Sequence, residues 1–168
     1  SPAIGGITPS SYSISDTLPH DLSFNITNGI ISGTPDTASA KQNYTITTST
    51  AEGDSYTTDI SLNVYEFTYD PVINRLKKDV SINSLNENLI SPDISGITPS
   101  SYSITGPALP TDLSFNIADG TITGTPESIF ARQNYTITVI ADGDSYTTDI
   151  SLNVYEFKYE SVNNLLKK

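Results

Sequence analysis

Few side chains in this sequence could do chemistry. His20 is the single histidine, and the position that matches it in a later copy of the same stretch is Thr111. Cys, Met and Trp are absent. There is thus no thiol nucleophile, no thiolate metal site and no disulfide framework. Neither a Gly-x-Ser-x-Gly elbow nor a glycine-rich phosphate loop occurs. Carboxylates are plentiful, but glycoside-type chemistry needs two of them at a set spacing across a cleft. The sequence pattern offers no such cleft. The reading is a non-enzyme, with no catalytic, cofactor-binding or metal-ligating residue assigned.

Four weaker possibilities attach to named residues. Ala141-Asp142-Gly143-Asp144 and the related Glu52-Gly53-Asp54, with Glu66 and Asp70 nearby, could offer hard oxygen ligands to calcium. They serve equally well as plain turns, and no essential ion is expected. Arg75, Lys77, Lys78, Lys158, Lys167 and Lys168 form a basic cluster, with Lys41 and Arg132 elsewhere at equivalent positions. Such residues protect an exposed strand edge, and the alternative is contact with an acidic neighbouring module. Tyr155 and Tyr159 could stack on sugars, although isolated surface tyrosines are ordinary. The sequons at Asn25, Asn43 and Asn134 would matter only in a eukaryotic secretory host.

Net charge limits the partners. Eight Lys and Arg stand against 19 Asp and Glu, a formal balance of −11 over 168 residues. That balance opposes nucleic acid and anionic membrane as partners. No apolar run approaches the ~20 residues of a membrane span, so no membrane insertion is expected in this segment. The chain opens at Ser1-Pro2 without Met, which reads as a piece of a longer protein.

The elements that would position these groups come in two copies. Gly6-Ile-Thr-Pro-Ser-Ser-Tyr-Ser-Ile14 recurs unchanged from Gly96 to Ile104. The fifteen residues from Gly53 to Phe67 recur unchanged from Gly143 to Phe157. Between these blocks the offset grows by one, as Leu18 and Leu109 show. Tyr159 to Lys168 then resembles Tyr69 to Lys78. Repeats of this length signal an array of small modules. The expected division is a first module over 1–66 without its opening strand, a second over 67–156, and the start of a third over 157–168.

The periodicity is that of strands. Tyr146, Thr148, Ile150, Leu152 and Val154 share one face, and polar residues share the other. Tyr135, Ile137 and Val139 form the strand before it, joined through the turn at Asp142-Gly143. Asp119-Gly120 and Asn28-Gly29 read as hairpin turns with both central residues at positive φ. Leu113, Phe115, Ile122, Tyr135, Ile137, Ile150, Leu152 and Val154 are the expected core. Leu22, Phe24, Ile31, Tyr44, Ile46, Ile60, Leu62 and Val64 are their equivalents. Tyr44 and Tyr135 fit the tyrosine corner of immunoglobulin-like sandwiches. Asp70 to Lys78 is the one stretch that could pass for a helix, and its β-branched residues and Asn oppose that reading.

The stretch Leu109-Pro110-Thr-Asp-Leu113-Ser-Phe115-Asn-Ile-Ala-Asp-Gly120-Thr-Ile-Thr-Gly124-Thr-Pro126, matched by Leu18 to Pro35, resembles the signature of the bacterial Putative Ig repeats. These are relatives of cadherin-like surface modules. Asp21 and Asp112 stand where that pattern has Gly, and Asp tolerates left-handed backbone. The resemblance implies an all-β fold of two tandem immunoglobulin-like β-sandwiches. It also implies an opening strand within Phe67 to Leu85, with Val80 and Ile82 in the core. The implied role is a structural spacer or stalk module of an extracellular, cell-surface or secreted repeat protein. Its partners would be the neighbouring modules. The alternative is an adhesin module that itself binds a glycan or a host protein.

Overall fold

The computed structural model describes residues 5–70, 73–82 and 89–158. The expectations placed on Val72, Leu85, Tyr159 and the rest of 159–168 fall outside the described residues. The fold is all-β, with thirteen strands and no helix among the described residues. The chain forms two compact units. One comprises Ser1–Phe67 with Asp93–Ser100 and Ala141–Asp144, and the other comprises the remainder.

In the first unit, β1 (Pro9–Ile14), β4 (Ser39–Thr50) and β5 (Ser55–Val64) form an antiparallel sheet in the order β1-β4-β5. β2 (Leu22–Phe24) and β3 (Ile31–Gly33) form a separate hairpin. The alternation read from the sequence turns Tyr44, Ile46, Ile60, Leu62 and Val64 to one face. Tyr44 is buried there at 2% exposure, whereas Ile46, Ile60, Leu62 and Val64 are half-buried. The core expected of this unit is therefore only partly closed. Leu22, Phe24 and Ile31 are likewise half-buried.

The second unit has more strands. β9 (Pro99–Thr105), β12 (Phe130–Ala141), β13 (Asp144–Tyr155) and β7 (Ile73–Lys77) form a sheet in the order β7-β13-β12-β9. β7 runs parallel to β13, with Ile73 opposite Ser151 and Lys77 opposite Tyr155. β10 (Leu113–Phe115) and β11 (Ile122–Gly124) repeat the first unit's small hairpin. β6 (Glu66–Tyr69) pairs with β8 (Pro92–Ser95), and residues of each strand fall in both units. Ile82 and Ile90 bridge to Gly124 and Ile122 and are buried. Ile122, Ile137, Ile150 and Leu152 are at 0–1% exposure. Phe115, expected in the core, is half-buried.

The stretch that could have passed for a helix is thus partly strand β7. Leu76 is buried beneath it, and Arg75 and Lys77 face solvent from this edge strand. Val80 is half-buried and Ile82 fully so.

Turn chemistry departs from the sequence reading at one place and follows it at another. Asp119-Gly120 is not a two-residue turn with two positive φ values. Six residues join β10 to β11, and only Gly120 has positive φ, at 75°. The Asn116 side chain accepts from the Ala118 amide at 2.9 Å, and the Asp119 side chain accepts from the Thr121 amide at 2.9 Å. Two short polar side chains therefore supply what an extra left-handed residue would have supplied. Asp142-Gly143 is a tight two-residue turn with φ of 53° and 84°. The first unit spends four residues, Ala51 to Asp54, on the same connection. The second copy is one residue shorter through this connection, and here the offset returns from 91 to 90.

The glycine of Gly-Thr-Pro has a steric reason. A Cβ on Gly124 would stand 2.0 Å from the Asp112 carbonyl oxygen, and one on Gly33 would stand 1.9 Å from that of Asp21. Asp21 adopts the left-handed conformation, φ 61°, as expected for a stand-in for Gly, whereas Asp112 does not.

Candidate functional site

Three places bring reactive or polar groups together, and each is built from local geometry. The first surrounds His20. Leu18-Pro19 leads into a turn closed by the Leu22 amide on the Pro19 carbonyl at 3.1 Å. That turn presents His20 and Asp21 outward, and Gly33-Thr-Pro35 delivers Asp36 beside them. His20 Nδ1 lies 2.8 Å from Asp36 Oδ1 and 3.3 Å from Asp21 Oδ2. The hydrogen bond with Asp36, then the Asp21 charge, raises the His20 pKa above its ordinary value. The His20 bond, then the Thr37 hydroxyl, lowers that of Asp36.

All three side chains are exposed, and their ligand atoms lie within 4.8 Å of one another. One nitrogen and two oxygens fall well short of the six or more oxygens that calcium takes. In the second unit the corresponding carboxylate, Asp112, accepts instead from the Glu127 amide at 3.3 Å and the Thr111 hydroxyl at 3.3 Å. The cluster thus performs a loop-fastening role that the other repeat fulfils without histidine. Sequence reasoning weighed His20 only as a catalytic group. Its partner lies sixteen residues away across a hairpin, a separation that carries no local signal.

The second place is the turn considered for calcium. Asp142 accepts weakly from the Thr98 amide at 3.4 Å, and Asp144 pairs with Lys41 at 2.9 Å. Asp54 receives the Thr50 amide through its backbone carbonyl at 2.9 Å. These carboxylates are therefore dispersed, each with its own donor or in its own turn. They do not converge on a common point.

The third place is a shallow groove of about 630 Å³ on the second unit, lined by Thr105, Arg132, Asn134, Thr136, Asp149 and Ser151 among others. It lies on the outward face of β9, β12 and β13. The Thr136 hydroxyl donates to Asp149 at 2.7 Å. The first unit repeats this as Thr45 to Asp59 at 2.7 Å, alongside Ser61 to Asn43 at 2.5 Å. Such cross-strand polar pairs stabilise a solvated sheet face. Arg132 is exposed at the rim, as are Tyr155 and Tyr65 elsewhere.

The buried tyrosines are structural. Tyr135 donates to the Ala108 carbonyl at 3.3 Å and Tyr44 to that of Thr17 at 3.5 Å. Each bond reaches 27 residues upstream, to the loop after the opening strand of its sheet. A tyrosine corner closes on backbone only a few residues away, so this is a different fastening. Tyr69, which sequence reasoning did not single out, donates to the Gly120 carbonyl at 2.7 Å in the core. Burial, then Tyr102 and Asp119, pushes its pKa up.

Among the described residues, no helix is long and apolar enough to cross a membrane.

Comparison with known proteins gives one strong finding. The model of the family described as Putative Ig domain matches residues 1–65 and again 71–155. No curated protein sequence matches the chain. Among solved structures, the chain resembles an endo-fucoidan hydrolase of glycoside hydrolase family 107 at 20% identity, with a TM-score of 0.36, over 88% of this chain and 24% of that one. It resembles extracellular domains 3–5 of Drosophila OTK at 11% identity, with a TM-score of 0.43, over 90% of this chain and 52% of that one. It resembles the human desmocollin-1 ectodomain at 14% identity, with a TM-score of 0.36, over 88% and 33%. The chain spans from about a quarter to about half of these three. At such TM-scores they carry no argument about this chain.

Proposed function

The chain belongs to the Putative Ig domain family, and we propose that it serves as a structural spacer of a repeat protein outside the cell, without catalysis of its own. The observation that carries this reading is how the repeats are joined. β5 ends at Val64 and β6 begins at Glu66, so a single residue separates the last strand of the first unit's sheet from the strand that follows it. The segment that follows does not hang as a tether. It gives β7 to the second unit's sheet and Leu76, Ile82 and Ile90 to its core. Chain that joins copies is thus also chain that builds them, which suits an array whose length is set by copy number.

The polar clusters support the same reading. His20 with Asp36, Asp144 with Lys41, and Thr136 with Asp149 are each bonded to one another and leave no convergent set aimed at a reacting atom. Single-molecule pulling tests the proposal. A spacer should give two separate unfolding steps, each releasing roughly 300 Å of chain for a module of this length. Extension at negligible force would remove it.

The groove over Asn134 and Asp149 favours one second reading, an adhesin face for a polar ligand such as a glycan. A glycan array probed with the chain decides it. Selective retention that Arg132→Ala abolishes would move the function from spacer to adhesin.

A further inference from the structure

The loops at one end of the β2–β3 hairpin gather an imidazole and two carboxylates. Ligand atoms of His20, Asp21 and Asp36 all lie within 4.8 Å of one another. His20 Nδ1 stands 2.8 Å from Asp36 Oδ1 and 3.3 Å from Asp21 Oδ2. A tetrahedral ion with bonds of about 2.0–2.2 Å sets its ligands about 3.3–3.6 Å apart. The two distances from the imidazole are close to that spacing. All three side chains are exposed, so small rotations can complete it.

The second unit shows that the fold does not demand this convergence. Thr111, Asp112 and Glu127 occupy the same three positions. Asp112 has no positive φ, and its carboxylate accepts from the Glu127 amide at 3.3 Å and the Thr111 hydroxyl at 3.3 Å. In the first unit Asp21 takes φ 61°, and its carboxylate turns to His20 instead. The first unit thus accepts a left-handed residue, which costs energy outside glycine. In return it has a nitrogen and two oxygens facing a common point. The backbone beneath them is fixed. The Leu22 amide closes the turn on the Pro19 carbonyl at 3.1 Å, and Gly33 lies so close to Asp21 that a Cβ on it would stand 1.9 Å from the Asp21 carbonyl oxygen. Asp36 follows that glycine by three residues.

We propose that His20 Nδ1, Asp21 Oδ2 and Asp36 Oδ1 bind a late first-row divalent cation such as zinc, with solvent completing the coordination. An imidazole nitrogen suits zinc, copper and nickel, whereas calcium and magnesium take oxygen ligands in greater number. Three protein ligands with an open position are a recognised zinc arrangement. The ion ties the turn that enters β2 to the loop that leaves β3. It fastens the unit whose inner residues Ile46, Ile60, Leu62 and Val64 are half-buried. The site goes beyond the spacer reading, since it makes one copy responsive to metal and leaves the other, with Thr111 in place of the histidine, unresponsive.

Titration with zinc chloride, followed by NMR and calorimetry, tests this on three proteins: the full chain, His20→Thr and Asp36→Asn. Threonine is the residue that the second unit carries at the histidine position, so the fold accommodates it. In the full chain the His20 ring signals should move and saturate. Amide shifts should centre on residues 18–22 and 33–37 and leave residues 109–113 and 124–128 in place. Calcium at the same concentration should leave all of these signals unmoved. Each variant should keep the circular dichroism of the full chain. Each should bind zinc more weakly by over about tenfold, beyond what loss of a mere outer partner brings at the low end. No saturable movement of His20 at millimolar zinc, affinity that survives either substitution, or shifts centred on Asp142 and Asp144 would each overturn the proposal.

Discussion

At the scale of single residues, electrostatics and burial make separate predictions. The His20–Asp36 pair is exposed, so it belongs to local order more than to global stability. Its sign is fixed by the two shifts. A raised histidine pKa stabilises below the ordinary histidine value and is lost as pH rises through the folded value. A lowered aspartate pKa stabilises above the ordinary carboxylate value and is lost as pH falls through the folded value. The pair thus acts between those two limits. A proton NMR titration should find His20 above about 6.5, and Asp36→Asn should bring it back down. A histidine that titrates identically in both proteins would remove the pair. Tyr69 is the opposite case, a buried neutral hydroxyl that donates to a backbone carbonyl. Tyr69→Phe leaves the Gly120 oxygen without that donor in the core. The loss should be about 1–3 kcal/mol in denaturant unfolding.

At the scale of elements, the repeat supplies its own control. Ile46 and Ile137 share a sequence position, yet one is half-buried and the other fully enclosed. Ile137→Ala should cost about 2–5 kcal/mol, as enclosed aliphatic truncations do. Ile46→Ala should cost about 1–2 kcal/mol, in proportion to the smaller area it removes from water. Equal costs would mean that the two sheets are equally covered. The alternation that assigned these residues to the inner face was fully legible, because a two-residue period depends only on the chain's own sequence. So was the tight turn at Asp142-Gly143. The uneven closure of the two cores was legible in outline, since the first module was expected without its opening strand, but identical strands could not show that Ile46, Ile60, Leu62 and Val64 would be left half-buried. The six-residue loop at Asn116 to Thr121 escaped for a related reason. Asp-Gly names a turn, but the capping by Asn116 and Asp119 that decides its length involves several residues at once. The three dispersed sites were legible mainly as absences of a motif, and the His20–Asp36 bond needed the folded hairpin to be seen.

At the scale of the whole molecule, the two units should differ in their response to heat and resemble one another in their response to calcium. Since Asp142 and Asp144 have separate partners, melting curves in excess calcium and in chelator should agree within a few degrees. A large calcium-dependent rise would instead identify an ion bound only by the folded state. Heat alone should divide the chain. In the first unit Ile46, Ile60, Leu62 and Val64 remain half-buried, while Ile137, Ile150, Leu152 and Val154 are enclosed. Full burial of such side chains is worth about 1.5–3 kcal/mol each, so leaving four of them half-open forgoes about 3–6 kcal/mol. That is a large share of the roughly 5–15 kcal/mol that holds a domain together. A loss of 1 kcal/mol moves the melting point of a 60–100-residue domain by about 4–8 °C, so even the smaller figure separates the two transitions by more than about 10 °C. Calorimetry on dilute protein should therefore show two peaks. Backbone amide signals of β4 and β5 should be lost in the lower one and those of β12 and β13 in the upper. Ile137→Ala should move only the upper peak, and Ile46→Ala only the lower. A single peak that both substitutions shift together would show that the half-open core is not the weaker one.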